Sequence, residues 1–387
     1  MKIAMIGPFG LHPKGTMSVR ALPLAHALHE NGHSVCLILP PWSYPDDSGR
    51  VFTDDGVTVI NIALPRRFPV VYHLLVTWRL LRAALAQQPD VVHCFKPKAY
   101  AGLVGMVIWI GKRLGLSRVR LAMDSDDWEG YGGWNDIERY SRMQKAFFAW
   151  QERWGLTHAD AVTVASRTLQ SLVWSMGMSP TRTYYVPNGT AAQTETLPTR
   201  RPQASPLTVL LYTRFFEFTV ERAVAIIAGI LQKRPQIQVV IVGAGLFGEE
   251  KQFLAQIQAA GLTQKVTYAG WRDQAELPHY FASADVAIYP FDDTLVNRAK
   301  CAVKLIDLLA AGVAVVADRV GQNAEYIEHG VSGILVEPGD TDGFIAWVVR
   351  LLDDEAMRRS LAENAWRRMQ EKYTWRHLVA TVEDAYQ

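Results

Sequence analysis

One repeated pattern constrains this chain of 387 residues: short β-branched runs alternate with helical patterns up to about residue 190, and the alternation then starts again. Elements in that order favour parallel sheets covered by helices. A domain usually takes about 100–200 residues, so the length suggests two domains. We therefore predict an α/β fold with two doubly wound domains whose carboxyl-terminal strand ends face a cleft.

Strands are predicted wherever the β-branched runs lie between turn signals. In the first half they are Lys2–Ile6, Ser34–Leu39, Val57–Ile62, Val91–Cys94, Arg120–Met123 and Ala161–Ala165. In the second half they are Thr208–Tyr212, Gln238–Val242, Val266–Ala269, Val286–Tyr289, Val313–Ala317 and Gly333–Val336. Pro23 lies inside the first helical pattern, which predicts a late start or a kink. Residues 190–206 have linker composition.

Charge and cysteine content exclude several classes. A net charge of +2 argues against a dedicated nucleic-acid binder, so we expect no nucleic-acid partner. The first 190 residues carry 20 Lys and Arg against 14 Asp and Glu, whereas the rest carry 20 against 24. Three scattered cysteines indicate a reducing compartment. The longest apolar stretch, Ala99–Ile110, is too short to span a membrane and is predicted as a buried helix, so we expect a cytoplasmic protein.

A glycine motif, Gly243-Ala244-Gly245-Leu246-Phe247-Gly248, follows a predicted strand and precedes a helix. By itself it suggests a dinucleotide-binding dehydrogenase, with pyrophosphate at the helix N-terminus. The acidic residue expected at the end of the next strand is missing, because that strand ends in Tyr268-Ala269-Gly270. A tight strand-to-helix turn is the alternative interpretation.

An acidic run, Asp124-Ser125-Asp126-Asp127, directly follows an apolar strand. Carboxylates at this spacing can hold a divalent cation, but they also serve as turn and cap residues. Their mutual repulsion favours a role in the active site, and we favour that role without a metal. The ten histidines show no metal-ligand spacing.

Cations and glycines recur at other strand–helix junctions. They comprise the loop from Gly10 to Gly15, Arg214, and the segment from Lys300 to Gly312. Fixed positive charge and free backbone N–H groups suit a diphosphate leaving group, whose negative charge grows as its bond to a sugar breaks.

The order of segments along nearly the whole chain resembles that of the retaining, GT-B-fold group-1 glycosyltransferases. The matching segments are Asn31–Val35, Asp90–His93, Ala159–Ser166, Val186–Gly189, Val239–Gly245, Leu305–Ala317 and Gly330–Val336. The resemblance implies two Rossmann-like domains: an acceptor domain at 1–190 and a nucleotide-sugar donor domain at 206–371. It also implies that a helix at about 372–387 packs back on the first domain.

The candidates for donor binding come from both halves, namely Gly10, Gly15, Arg214, Gly243, Gly245, Lys300, Lys304 and Asp307. Lys300 and Lys304 are included only because of their placement, from which they can supply positive charge to the diphosphate. Arg214 matches the family arginine that contacts the donor diphosphate and is also a catalytic candidate. Asp307 matches the second Glu of the E-x7-E motif, which bonds the ribose. Two positions depart from the family: Thr219 replaces a lysine, and Ala299 replaces the first Glu.

Asp124 stands where the family often has a histidine near the transferred sugar, and it is the second catalytic candidate. Its expected role is to orient an acceptor hydroxyl or to stabilise positive charge on the sugar carbon. Trp128 and Trp134 are the candidates for acceptor binding, because aromatic faces suit sugar rings. The later aromatic residues, Phe147 to Trp154, are predicted to form a buried helix face.

The implied activity is transfer of a sugar from a nucleoside-diphosphate donor to a glycan or lipid-linked acceptor, in glycan or surface polysaccharide biosynthesis, without a cofactor. Basic residues between Arg66 and Arg82 flank the apolar helical stretch Val70–Leu81. This pattern suggests peripheral contact with an anionic membrane face. Two alternatives stay open. One is a catalytically weakened GT-B protein that binds nucleotide or glycan, suggested by Ala299 and Thr219, and the other is the NAD-dependent dehydrogenase.

Overall fold

The computed structural model of the chain describes residues 1–12, 15–66, 68, 71–190, 196–198 and 206–387. The chain divides into two compact units. The first is Met1–Ala191 with Ala299–Cys301 and Trp375–Gln387, and the second is Ala192–Arg298 with Ala302–Thr374. Most of the predicted linker lies outside the described residues, as do Pro13 and Lys14 of the Gly10–Gly15 loop and also Arg67 and Val70.

The first unit is built on one sheet. Its strands are β1 (Lys2–Ile6), β2 (Ser34–Leu39), β3 (Val51–Asp54), β4 (Val57–Asn61), β5 (Val91–Phe95), β6 (Arg120–Ser125), β7 (Ala161–Val164) and β8 (Thr183–Tyr185). They lie in the order β3-β4-β2-β1-β5-β6-β7-β8. Every pairing is parallel except the β3–β4 hairpin. The strand order reverses at β1, where ligands of such sheets usually bind.

Helices cover the faces of this first sheet. They are α1 (Leu22–Glu30), α2 (Val71–Ala86), α3 (Ala99–Arg113), α4 (Trp134–Ile137), α5 (Arg142–His158) and α6 (Arg167–Ser175). A π-helical turn, Met17–Ala21, precedes α1, so Pro23 falls in the first turn of the α-helix, where proline is tolerated. The late start, one of the two predicted solutions for Pro23, is the one that the structure adopts.

The second unit is built on a fully parallel sheet. Its strands are β9 (Thr208–Tyr212), β10 (Gln238–Val242), β11 (Val266–Gly270), β12 (Val286–Tyr289), β13 (Ala314–Asp318) and β14 (Ile334–Val336). They lie in the order β11-β10-β9-β12-β13-β14, with the reversal at β9. Its helices are α7 (Val220–Lys233), α8 (Glu249–Ala259), α9 (Leu277–Ser283), α10 (Leu295–Ala299), α11 (Val303–Ala310), α12 (Asn323–Tyr326), α13 (Thr341–Asp353) and α14 (Glu355–Lys372).

The last helix, α15 (Trp375–Ala385), belongs to the first unit. Trp375, Val379 and Val382 are buried in the same apolar cluster as Ile3 of β1 and Leu24 of α1. Burial of side chains of this size contributes about 1.5–3 kcal/mol each, which is enough to hold the helix on the sheet.

The predicted fold class, two α/β domains with doubly wound parallel sheets, is confirmed. The expected buried aromatic face of α5 is wrong, because Phe147 and Trp150 are 41% and 47% exposed. The buried positions of α5 include the polar Gln151, which exchanges hydrogen bonds with the backbone of Ala99. In the described part of the chain, every helix is too short or too polar to cross a membrane.

Candidate active site

A buried ion pair lies at the carboxyl end of β6. The Arg20 guanidinium donates from Nε to Asp124 Oδ1 at 2.8 Å and from Nη2 to Oδ2 at 2.7 Å, and both side chains are fully buried. Arg20 Nη1 donates to Asn188 Oδ1 at 2.8 Å, and Thr163 Oγ1 donates to Asp124 Oδ2 at 2.6 Å. Burial by itself would raise the pKa of Asp124, but Arg20 outweighs it, so the pKa lies below its ordinary value.

Two lysines form ion pairs with the next three carboxylates, Asp126, Asp127 and Glu129. Lys96 Nζ, after β5, lies 2.9 Å from Asp126 Oδ1, 3.3 Å from Asp127 Oδ2 and 2.7 Å from Glu129 Oε1. Lys98 Nζ lies 2.7 Å from the other oxygen of Glu129. These two cations hold the pKa of the buried Glu129 carboxyl down at about 2, against the effect of burial. The Lys96 ammonium therefore occupies the position between carboxylates that a metal cation would take.

Asp127 has the most exposed side chain of the four carboxylates in this cluster, at 17%. The other three are those of Asp124, Asp126 and Glu129. Desolvation raises its pKa to about 6, with Asp126 and Glu129 adding to the rise while Lys96 opposes it. The Cys301 N–H donates to Asp127 Oδ1 at 3.4 Å, within the first unit. Asp127 therefore takes up a proton at a higher pH than an ordinary aspartate does.

A glycine-rich loop packs on Trp128. A Cβ on Gly130 would lie 2.3 Å from the Trp128 ring, and one on Gly133 would lie 2.1 Å from the Trp128 carbonyl oxygen. The indole N–H donates to the Tyr131 carbonyl at 2.8 Å, and the Trp134 N–H donates to the Trp128 carbonyl at 2.9 Å. Trp128 and Trp134 are both half-buried.

The two predicted glycines of the first loop make different contacts. A Cβ on Gly10 would come 3.3 Å from Pro41, so the backbone passes close to the end of β2. The Gly15 N–H donates to Ser18 Oγ at 3.0 Å, and the Gly15 carbonyl accepts from the Ser18 and Val19 N–H groups. Gly15 thus starts the turn that carries Arg20.

Four residues of the second unit gather at the carboxyl end of β9. Lys304 and Asp307 lie three residues apart on the less buried face of α11. Lys304 Nζ is 4.0 Å from the centroid of the Tyr212 ring. Burial raises the pKa of Tyr212, Asp307 adds to the rise, and Arg214 opposes it, so both charges act on this phenol. The structure thus brings three of the predicted donor residues together.

A tight turn after β9 fixes the backbone of Arg214. The buried carboxylate of Glu217 accepts from Thr213 Oγ1 and from the Arg214 N–H, each at 3.1 Å. Thr213 Oγ1 in turn accepts from the N–H of Phe215, which has a φ of 67°. A non-glycine residue in this region of φ is uncommon and needs such support.

The glycine motif is a tight turn in which the N–H groups of Gly245 and Phe247 are paired with carboxylates. A Cβ on Gly243 would lie 1.9 Å from the Thr213 carbonyl oxygen, so only glycine fits there. The Gly245 N–H donates to Glu250 at 2.9 Å, and the Phe247 N–H donates to Glu249 at 2.8 Å. Two carboxylates at the start of α8 would repel a pyrophosphate, which argues against the dehydrogenase interpretation.

The two positions that depart from the family have structural roles. The Ala299 carbonyl accepts from Ser166 Oγ at 3.0 Å, and its side chain is fully buried. The Thr219 N–H donates to Asp292 Oδ2 at 2.6 Å at the start of α7. Lys300, next to Ala299 in the first unit, lowers the pKa of Asp127.

One group of three potential metal ligands occurs among the described residues: His26 of α1 with Asp54 and Asp55 of the β3–β4 hairpin. His26 Nε2 lies 3.2 Å from Asp54 Oδ2, so an ordinary His–Asp contact brings the first two together. Sequence spacing gave no sign of it, because His26 and Asp54 lie far apart in the chain.

Comparison with known proteins identifies the family. Residues 15–189 match the model described as "Glycosyl transferase 4-like domain", and residues 208–354 match "Glycosyl transferases group 1". An uncharacterized glycosyltransferase from Methanocaldococcus jannaschii is 25% identical over all of this chain and 98% of its own length. A GDP-mannose-dependent alpha-mannosyltransferase from Mycobacterium tuberculosis is 26% identical over 94% of this chain and 90% of its own.

Solved structures show the same fold. Sucrose-phosphate synthase from Thermosynechococcus elongatus has a TM-score of 0.73 and 19% identity, covering 100% of this chain and 98% of its own. Anabaena HepE in complex with UDP and glucose has a TM-score of 0.71 and 18% identity, covering 99% and 98%. Fold and family together define an enzyme of nucleotide-sugar transfer with the GT-B architecture. The chain belongs to the group-1 glycosyltransferases.

Proposed function

We propose that this enzyme transfers a sugar, with retention of anomeric configuration, from a nucleoside-diphosphate donor to a hydroxyl of a glycan or lipid-linked acceptor. The observation that supports this most is the grouping of Arg214, Lys304 and Asp307 around Tyr212 at the end of β9. The GDP-mannose-dependent relative and the UDP-bound neighbour support the donor class. Glycan or surface polysaccharide biosynthesis is the pathway class we assign.

In the donor half-site, Arg214 and Lys304 bind the diphosphate and stabilise the charge that grows on it as the glycosidic bond breaks. Asp307, one turn further along α11, accepts hydrogen bonds from the ribose hydroxyls. The glycines have a shaping role: Gly243 lets the end of β10 approach β9, and Gly245 begins the turn into α8. The donor domain comprises residues 206–371, and the acceptor domain 1–190.

The same arrangement supports transfer without a metal or cofactor. Two fixed cations supply the positive charge that a divalent ion would otherwise bring to a diphosphate. In the first unit, Lys96 already lies between the carboxylates of Asp126 and Glu129.

On the acceptor side, we assign the roles according to exposure. Asp124 has no exposed surface and accepts from Arg20 and Thr163, so it acts by fixing the strand end rather than by touching a substrate. Asp127 lies three residues after Asp124, and its partly exposed carboxylate can accept a hydrogen bond from an acceptor hydroxyl. Lys300 lies beside it, and Trp128 and Trp134 offer ring faces to a sugar.

An apolar surface on the first unit suits contact with an anionic membrane. Helices α2, α3 and α5 lie side by side, and each exposes large apolar side chains. They are Leu74, Leu75, Trp78, Val107, Ile110, Met143, Phe147 and Trp150. Exposed Arg66 and Arg82 accompany them. We propose a cytoplasmic enzyme that docks through this surface, consistent with a lipid-linked acceptor.

The test is to incubate the enzyme with UDP-, GDP- and ADP-sugars and lipid-linked or glycan acceptors, and to follow release of the nucleoside diphosphate. Proton NMR of the product then reads the anomeric configuration. We expect turnover with one nucleotide class and an α-product from an α-donor. A product of inverted configuration would contradict the retaining mechanism.

A further inference from the structure

A chain of hydrogen bonds runs from the residue after α15 to the buried Asp124 carboxylate. His93 Nδ1 lies 2.7 Å from the Tyr386 hydroxyl, and His93 Nε2 lies 3.2 Å from Thr163 Oγ1. Thr163 Oγ1 is 2.6 Å from Asp124 Oδ2. All four side chains are buried, and they come from β5, β6, β7 and the residue after α15.

The charge on Asp124 sets the direction of every bond in this chain. An ionised carboxylate only accepts, so the Thr163 hydroxyl donates to it. The Thr163 oxygen must then accept from His93 Nε2–H, which leaves Nδ1 without a proton, able to accept from the Tyr386 hydroxyl. Burial lowers the pKa of His93 to about 4, so the ring is neutral near pH 7.

Asp124 also connects this chain of hydrogen bonds to the rest of the acidic segment, Asp124–Asp127. The π-helical turn that carries Arg20 follows Thr16, and Thr16 Oγ1 donates to Asp126 Oδ2 at 2.6 Å. A shift of the Asp124 carboxylate therefore moves Arg20 and the π-helical turn that carries it. Thr16, at the start of that turn, then moves relative to Asp126, to which it donates. Misplacement of a site by about 1 Å can reduce a rate by on the order of 100-fold.

We propose that Tyr386 and His93 are positioning residues of the transfer reaction: they hold the Thr163 hydroxyl on Asp124 and so fix the acidic segment at the end of β6. This inference rests on the proposed function, in which Asp127 of that segment meets the acceptor. Loss of the Tyr386 hydroxyl leaves Nδ1 without its donor. Loss of the Thr163 hydroxyl removes both the acceptor of Nε2–H and one bond to Asp124.

Nitrogen-15 NMR of the histidine rings tests the direction of the chain without an activity assay. We expect wild-type His93 to be the neutral Nε2–H tautomer near pH 7. Thr163→Val should shift or broaden its ring nitrogen signals, and Thr163→Ser should restore them. A wild-type Nδ1–H tautomer would overturn the proposed direction and, with it, the positioning role.

Steady-state kinetics test the effect of this positioning on the transfer rate. The donor is whichever of the UDP-, GDP- and ADP-sugars the wild type turns over fastest. Tyr386→Phe and Thr163→Val should each lower kcat on the order of tenfold with the donor KM unchanged, and Thr163→Ser should recover most of the rate. Tyr100→Phe is the matched control, because its hydroxyl also meets a histidine, His73, at 2.8 Å.

The outcomes separate the two claims. A Tyr386→Phe enzyme that folds and keeps kcat within twofold of the wild type overturns the positioning role while leaving the proposed function intact. If the wild type turns over none of the nucleotide sugars, the proposed function fails and the positioning role fails with it. The tautomer of His93 then still shows whether the hydrogen-bonded chain exists.

Discussion

The ammonium of Lys304 lies 4.0 Å from the centre of the Tyr212 ring, at the point where β9 ends. The aromatic face attracts the cation and holds a long, flexible side chain in one place. Asp307 is three residues further along α11, so the same helix face presents a cation and then a carboxylate. This order matches the diphosphate and the ribose of a nucleotide.

Lys304→Met, which keeps an unbranched side chain but removes its charge, should weaken binding of the matching nucleoside diphosphate by about tenfold or more. Isothermal titration calorimetry measures this directly. Lys233→Met, an exposed position at the end of α7, is the control and should bind as the wild type does. Equal affinity of the Lys304 variant and the wild type would remove Lys304 from the donor half-site.

Asp307→Ala should reduce affinity for the nucleoside diphosphate but leave affinity for inorganic pyrophosphate unchanged, because the proposed partner of the Asp307 carboxylate is the ribose. Lys304→Met should weaken both ligands. The family's residue at this position is glutamate, so Asp307→Glu should retain most of the affinity. Loss of pyrophosphate binding in Asp307→Ala would show that this carboxylate shapes the diphosphate site instead.

Asp124→Asn should lower the free energy of unfolding by about 3–5 kcal/mol, because it leaves the fully buried Arg20 guanidinium without its counter-charge. Urea denaturation followed by circular dichroism measures the change. Glu337→Gln breaks the exposed pair with Arg319 and should leave stability almost unchanged. Similar small effects from both variants would mean that water reaches the Arg20–Asp124 pair.

Stability should fall as the pH drops from about 6.5 to about 4, in part through His93. Its folded pKa of about 4 lies below its ordinary 6.5, so the unfolded chain binds more protons across this window. Above pH 6.5 the neutral His93 makes its full contribution to the free energy of unfolding, about 3 kcal/mol. The melting temperature of His93→Gln should therefore depend less on pH than that of the wild type; an identical dependence would exclude His93 as a source.

Binding to vesicles that contain anionic lipid should be measurable by co-sedimentation at low salt and should decrease as salt rises. Trp78→Ala, on α2, should weaken it. Trp174→Ala is the matched control, since this tryptophan is exposed to 41% on α6, outside the proposed docking surface. Salt-insensitive binding, or equal loss in both variants, would contradict docking through α2.

Local sequence patterns predicted most of the sheet. Buried parallel strands are continuous apolar runs, and β1, β2, β9, β10 and β12 fall on the predicted ranges. The short edge strands β3 and β8 were not predicted, because few of their side chains are buried and their pairing with β4 and β7 is not a local property.

The site was only partly predictable, because its key contacts join distant residues. Neither Arg20 nor Lys96 was predicted as a site residue, although they pair with Asp124 and Asp126, which lie 104 and 30 positions further along the chain. No periodicity indicates such pairs; the apolar strand before each carboxylate is the signal that a buried partner is needed. Phe147 and Trp150 were predicted to be buried because large apolar side chains usually are, but both are exposed, in the surface that we propose for membrane docking.

We propose that Arg214, Lys304 and Asp307 form the donor half-site. A calorimetric titration of the wild type and the Lys304→Met and Asp307→Ala variants with UDP, GDP, ADP and NAD tests this assignment. We predict that the wild type binds one nucleoside diphosphate and not NAD, and that both variants lose affinity about tenfold or more. Undiminished binding in both variants, or binding of NAD alone, would contradict it.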